Sequence, residues 1–150
     1  MSSEGLDVIV VDDEPVVCES IAELIEHFYA WGNVYAFTDV DEAVSHCLRA
    51  PTGVGIFVVD VMLGGKSGFS FLEDIQDKYP MAQGDTIMIT GHANDDVVNM
   101  CIASGVNYLL EKPIKPYALQ LSVRAIVAKY LRFAKKLLED PELAESIREF

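Results

Sequence analysis

The sequence is short of basic charge. Eleven Lys and Arg face 24 Asp and Glu, a formal net charge of −13. The shortage is local: residues 1–111 carry three bases, Arg49, Lys66 and Lys78, against 19 acids, whereas residues 112–150 carry eight bases and five acids. A body of this sign repels phosphate backbones, so direct nucleic-acid binding by this chain is not expected; metal cations or a partner with a basic patch suit it better. Cysteine is sparse as well. Cys18, Cys47 and Cys101 are an odd number without a CxxC pair, which argues against a disulfide framework and for small buried hydrophobes in a reducing compartment. The three histidines, His27, His46 and His92, match no metal-ligand spacing and read as surface or helix-end residues. No apolar stretch reaches the roughly 18 residues needed to span a bilayer, so no membrane segment is expected. The opening "MSSEG" lacks a signal peptide's features, which points to a cytoplasmic protein with residues 1–5 as a flexible N-terminus or cloning remnant. Internal repeats, low-complexity tracts and domain linkers are missing too.

What is present is alternation. Apolar runs at 6–11, 33–38, 55–60, 85–90 and 106–110 are separated by amphipathic stretches. The first, third and fourth runs are apolar without a period of two, as expected for parallel strands covered on both faces. Residues 15–28 place Val17, Ile21, Leu24, Ile25 and Phe28 on one helical stripe, with Pro15 in the first turn. Further helices are predicted at about 40–49 behind an Asp39 cap, 68–79 before Pro80, 94–104 ending at Gly105, and from Pro116 onward. The order βαβαβαβαβα predicts an α/β fold, a doubly wound five-stranded parallel sheet in which right-handed crossovers put helices on both faces. At 150 residues such a domain buries roughly 68–70% of its unfolded surface and needs no staple to fold.

In these sheets, sites form beyond the carboxyl ends of the strands, where strand order reverses. The first strand ends in Asp12 and Asp13, the third in Asp60, the fourth in Thr90, and the fifth runs into Lys112. Crowding carboxylates needs a compensating charge, because two of them about 4 Å apart repel by roughly 4 kcal/mol at an effective dielectric near 20. With no His or Cys cluster beside them, Asp12, Asp13 and Asp60 suit a hard divalent cation, Mg²⁺ or Mn²⁺, whose coordination leaves room for phosphate oxygens. Lys112 adds a point charge for the same phosphate and Thr90 a hydroxyl donor. A carboxylate so placed can be a nucleophile, and Asp60, standing alone after "IFVV", is the candidate.

The stretches "VVDDEP", "VVDVMLGGKSG", "MITGHA" and "LLEKPI" resemble the motifs of a response-regulator receiver domain, the phosphoacceptor of two-component signalling, over about residues 6–130. Their intervals agree too: 47 residues separate Asp13 from Asp60, 30 separate Asp60 from Thr90, and 22 separate Thr90 from Lys112. The resemblance implies a flavodoxin-like fold and an Asp60 that accepts a phosphoryl group from a sensor histidine kinase or phosphotransfer protein. It implies Mg²⁺ held by Asp13, Asp60 and the Met62 backbone carbonyl, with Asp12 acting through water. Lys112 would pair with the phosphoryl oxygens, and Thr90 would swing in to bond them. The chain would then be a switch that promotes its own phosphorylation and dephosphorylation rather than an enzyme acting on other substrates.

Three features depart from the family pattern. Leu109 stands where an aromatic is common, and Tyr108, one residue early on a strand, should face the opposite side. Gly64 replaces a common proline after the acceptor. Met62 and His92 occupy positions that tune phosphoryl lifetime in the family. The last helix also runs past what is needed to cover one sheet edge: Leu119, Val123, Ile126, Tyr130, Phe133 and Leu137 keep one stripe, which suits a long helix packed on its own domain, a homodimer through this helix or a lead to an output domain. Residues 131–150 are therefore expected to form a helical C-terminal extension, breaking at Asp140–Pro141. The alternative is a Mg²⁺-dependent phosphatase of the haloacid-dehalogenase type, which needs D-x-D on its first strand. The D-D-E found here speaks against it.

Overall fold

The computed structural model describes residues 5–148. Residues 1–4 of the expected flexible N-terminus, and 149–150 of the expected last helix, lie outside that range. Five strands form the main sheet: β1 (Val8–Val11), β2 (Val34–Phe37), β3 (Ile56–Asp60), β4 (Thr86–Thr90) and β5 (Tyr108–Glu111). Six helices follow or flank them: α1 (Pro15–Phe28), α2 (Val40–Arg49), α3 (Gly68–Ile75), α4 (Asp95–Ser104), α5 (Pro116–Glu139) and α6 (Pro141–Arg148). All neighbouring strands are parallel, in the order β2-β1-β3-β4-β5. Strand order reverses between β1 and β3, where Val8 pairs with Ile56 and Val11 with Val59.

The unbroken apolar runs are explained by two cores. Ile9, Val11, Phe57, Val59 and Met88 point to one face and pack with Cys47, Phe71, Leu72, Ile75 and Cys101 from α2, α3 and α4. Val8, Val10, Ile56, Val58, Ile87 and Ile89 point to the other and meet Cys18, Ile21 and Ile25 of α1 and Leu119, Val123 and Ile126 of α5. All three cysteines are buried free thiols, and burial pushes the Cys47 thiol up to about 11. At the amino end of the sheet, the Tyr29 hydroxyl donates to the Leu6 carbonyl.

The helix boundaries follow local chemistry. The Asp39 carboxylate accepts from the amides of Asp41 and Glu42, and Asn94 caps α4 by accepting from Val97. Gly105 closes α4 in the left-handed region at φ 80°. The third helix is shorter than its sequence pattern: it ends at Ile75, and residues 76–78 form turns. The Lys78 and Tyr79 amides still donate to the Ile75 carbonyl, at 3.1 and 2.9 Å, closing the chain in turns ahead of Pro80, which disfavours a helical Tyr79. Tyr79 is instead set edge-on to Phe57, and its hydroxyl donates to the Cys47 carbonyl. A small antiparallel hairpin, Met62–Leu63 with Lys66–Ser67, follows β3. Gly64 makes its turn at φ 71°. Gly68 then lets α3 start against β3, where a Cβ would lie 2.4 Å from the Asp60 carbonyl oxygen.

The predicted stripe on α5 is used on the protein's own sheet. Leu119, Val123 and Ile126 are buried, Tyr130 is half-buried, and Phe133 is 47% exposed. Where the sheet ends, a polar clamp takes over. Lys129 Nζ and the Tyr130 hydroxyl both donate to the carboxylate of Asp85, which is buried just before β4. Burial and that carboxylate together raise the Tyr130 hydroxyl above its ordinary value. Replacing Asp85 with Ala leaves both donors without their acceptor. The expected loss of unfolding free energy is about 1–3 kcal/mol, read from urea denaturation against Asp85→Asn, which keeps one acceptor and should lose less.

Candidate functional site

The carboxyl end of the sheet collects the acids by backbone geometry. The Asp12 amide donates to the Phe37 carbonyl at 3.1 Å, extending the β1–β2 pairing by one residue. The Glu14 amide then donates to Asp12 Oδ1 at 2.9 Å, turning the chain into α1. On β3, the Met62 amide donates to Asp60 Oδ1 at 2.9 Å, which orients the carboxylate and leaves Oδ2 facing inward. On the far side, the Lys112 amide donates to the Thr90 carbonyl at 2.8 Å, and the Lys112–Pro113 bond is cis.

These backbone ties deliver one ammonium to several carboxylates. Lys112 Nζ lies 2.6 Å from Asp60 Oδ2, 2.9 Å from Glu14 Oε1 and 3.1 Å from Asp12 Oδ2. Burial pulls the ammonium's pKa down, but its carboxylate partners more than reverse that, so Lys112 is raised and stays charged. Asp12 and Asp60 are 1% and 5% exposed, whereas Asp13 is open to solvent. For Asp12, burial dominates and raises its pKa, against the Glu14 amide and the Lys112 ammonium, which pull it down. Asp12 Oδ2 is within ion-pair reach of Lys112 but off the hydrogen-bond direction, so it is buried with no hydrogen-bond partner.

That oxygen, ion-paired but without a hydrogen bond, is one a cation would engage. Asp12, Asp13 and Asp60 each offer a carboxylate oxygen, all within 4.8 Å of one another. An octahedral ion at about 2.1 Å needs its oxygens about 3–4 Å apart, so a small inward shift completes the set. All three donors are hard oxygens and no thiol or imidazole joins them, which fits Mg²⁺ or Mn²⁺ and disfavours zinc. Met62 places its side chain outward, 67% exposed.

Four of the expected side chains, Asp12, Asp13, Asp60 and Lys112, are therefore brought together. Thr90 stands apart from them in its bonding: its hydroxyl donates to the His92 carbonyl at 3.1 Å and accepts from the His92 amide at 3.2 Å. Two contacts went unforeseen. Glu14 is a direct partner of Lys112, although the third acid of "DDE" was its only trace in sequence. Glu111 Oε2 accepts from the Ala93 amide at 2.8 Å, tying the loop after Thr90 to the end of β5. As expected, Tyr108 and Leu109 face opposite sides: Leu109 packs with the α2–α4 core and Tyr108 with the α1–α5 core.

With this geometry established, resemblance to known proteins becomes informative. The family model described as response regulator receiver domain matches residues 8–124. Among curated proteins, Regulatory protein VanR of Enterococcus faecium is 29% identical over 133 residues, covering 85% of this chain and 52% of that protein. Transcriptional regulatory protein FixJ of Azorhizobium caulinodans is 30% identical over 127 residues, covering 84% and 57%. The chain thus spans about half the length of these relatives. A response regulator receiver domain protein from Clostridium thermocellum superposes with TM-score 0.72 at 22% identity, covering 89% of this chain and 98% of that one.

The burial of Asp12 has a pH signature. A carboxyl whose folded pKa is raised disfavours the folded state while ionised, and the cost is relieved as pH falls through the folded pKa towards the unfolded 3.8. Asp12→Asn is therefore expected to raise the thermal midpoint at pH 7 in chelator, with the gain over the native chain shrinking as pH approaches 4. Millimolar Mg²⁺ should stabilise the native chain and leave Asp12→Asn nearly unmoved. Differential scanning calorimetry across pH, with and without Mg²⁺, checks both outcomes.

Proposed function

The chain belongs to the response-regulator receiver family, and on that premise we propose that it is a phosphoacceptor switch whose Asp60 takes a phosphoryl group from a phosphohistidine. The observation that carries this reading is the Asp60 carboxylate, buried at a strand end, hydrogen-bonded through Oδ1 and held by Lys112 through Oδ2. Transfer forms an O–P bond at Asp60 and breaks the N–P bond of the donor, whose imidazole leaves. Positioning and charge stabilisation dominate such transfers.

Asp12, Asp13, Asp60 and the Met62 carbonyl would hold Mg²⁺. When bound, the ion offsets the carboxylate repulsion and the charge spread over the phosphoryl oxygens. Lys112 would move from Asp60 and Glu14 towards the incoming oxygens. Thr90 would have to exchange its two His92 contacts for the phosphoryl group. That exchange moves a loop tied to β5 through Glu111 and Ala93, so occupancy of the acceptor biases the arrangement of residues 91–94. With Leu109 in place of an aromatic, this loop is the transmission element. By the same reading, the arrangement promotes phosphorylation and dephosphorylation of its own aspartate.

The donor would be a sensor histidine kinase or phosphotransfer protein in the cytoplasm. A groove of about 270 Å³ between Val16, Val17, Ser20, Leu24, Pro113 and Ile114 opens beside Lys112 and gives such a partner apolar contact next to the acceptor. No helix among the described residues is long and apolar enough to cross a membrane. Residues 6–130 would form the receiver and 131–150 an extension that serves self-association. The family match lends no support to the phosphatase alternative.

The test is incubation with Mg²⁺ and acetyl phosphate, followed by intact-mass measurement. One phosphoryl group should appear on the native chain and none on Asp60→Asn, while Lys112→Ala should slow uptake by about 100-fold or more. Multiple-turnover hydrolysis of phosphate esters without a phosphorylated protein species would overturn the reading.

A further inference from the structure

We propose that the groove between α1 and β2 is a docking surface for the basic end of α5 from a second copy of this chain. The groove has a volume of about 460 Å³, with an apolar floor that includes Ala22 and Phe37. Glu19, Glu23, Glu26 and Glu42 line it, and no base does. The end of α5 has the opposite character. Beyond the Asp85 clamp, Arg132, Lys135 and Lys136 stand exposed around the partly exposed Phe133. At 1.5 Å per residue, Arg132 to Lys136 spans about 6 Å and Glu19 to Glu26 about 10 Å, so the three bases fit within the row of acids.

One chain cannot make this contact with itself. The groove opens at the β2 edge of the sheet, whereas α5 follows β5 at the opposite edge, with α1 packed between. Lys129 and Tyr130, both held by Asp85, fix the direction in which the end of α5 leaves the body. Pairing two α5 helices with each other would bring Arg132, Lys135 and Lys136 of both copies together, with Glu139 the acid among them; like charges facing across an interface oppose association. A polyanion such as a nucleic acid or an anionic membrane would satisfy the helix but leave the apolar-floored acidic groove without a role. Reciprocal exchange between two copies satisfies both surfaces twice and closes with two-fold symmetry.

This inference deepens the self-association part of the proposed function, and its test is separable from phosphotransfer. The full chain, Glu23→Lys/Glu26→Lys, Lys135→Glu/Lys136→Glu and the four-substitution chain are compared by light scattering after size exclusion, at low and high salt. Circular dichroism and acetyl-phosphate uptake are measured on each as checks of fold and receiver chemistry. The native chain should dimerise with an affinity that falls about tenfold or more at high salt. Each paired variant should be monomeric with uptake unchanged, and the four-substitution chain should dimerise again. A native monomer at low salt, a dimer that survives Lys135→Glu/Lys136→Glu, or failure of the four-substitution chain to dimerise overturns the proposal. So does binding to phosphatidylserine vesicles that needs Lys135 and Lys136, combined with an oligomeric state indifferent to the groove variant.

Discussion

One ammonium shared among three carboxylates is the contact on which the rest of this site depends. Lys112 reaches Asp60, Glu14 and Asp12 at once, and Asp13 stands next to them. A single positive charge cannot neutralise four negative ones, so the mouth of the sheet retains a negative potential even with Lys112 in place. In a partly buried setting such an imbalance costs several kcal/mol unless a cation or a rearrangement relieves it. The imbalance shows at Asp12 Oδ2, which is buried without a hydrogen bond. A hard divalent cation held by these oxygens would relieve it.

The same imbalance gives the fold a reason for its details at this end. Asp60 is oriented by a backbone amide from the hairpin that follows it, and Gly68 lets that hairpin close tightly on β3. Thr90 is held by its own loop and has exchangeable partners of ordinary length. The loop it belongs to is anchored at one further point, where Glu111 accepts from the Ala93 amide. A switch of the proposed kind would need a second arrangement of this loop, because a ligand shifts a population only by its preference for one state over another.

At the opposite end of the sheet the charge problem is inverted and solved differently. Asp85 is buried with both oxygens engaged, one by a lysine and one by a tyrosine, both from α5. This pins the long helix where its apolar stripe runs out and separates a buried half from an exposed basic half. The acidic body and the basic helix end are thus joined in one chain but held apart. In the proposed dimer the two would meet only between molecules.

Much of this was legible in the residues. The five strands and first five helices could be placed because parallel strands covered on both faces must be apolar throughout, while surface helices need a stripe. Asp12, Asp13, Asp60 and Lys112 could be grouped because sheet topology alone sends strand ends to one edge. The early end of α3, the hairpin at Met62–Ser67 and the true reach of the α5 stripe were not legible. Each depends on what a residue meets across space: Tyr79 on Phe57, Gly68 on Asp60, Tyr130 on Asp85. Glu14 as a partner of Lys112 belongs with them, since 98 residues separate the two in the chain. Periodicity and chain order determined which residues arrive at each end of the sheet; only tertiary structure decided which of them touch, because contact distance depends on side-chain direction and packing that no local pattern encodes.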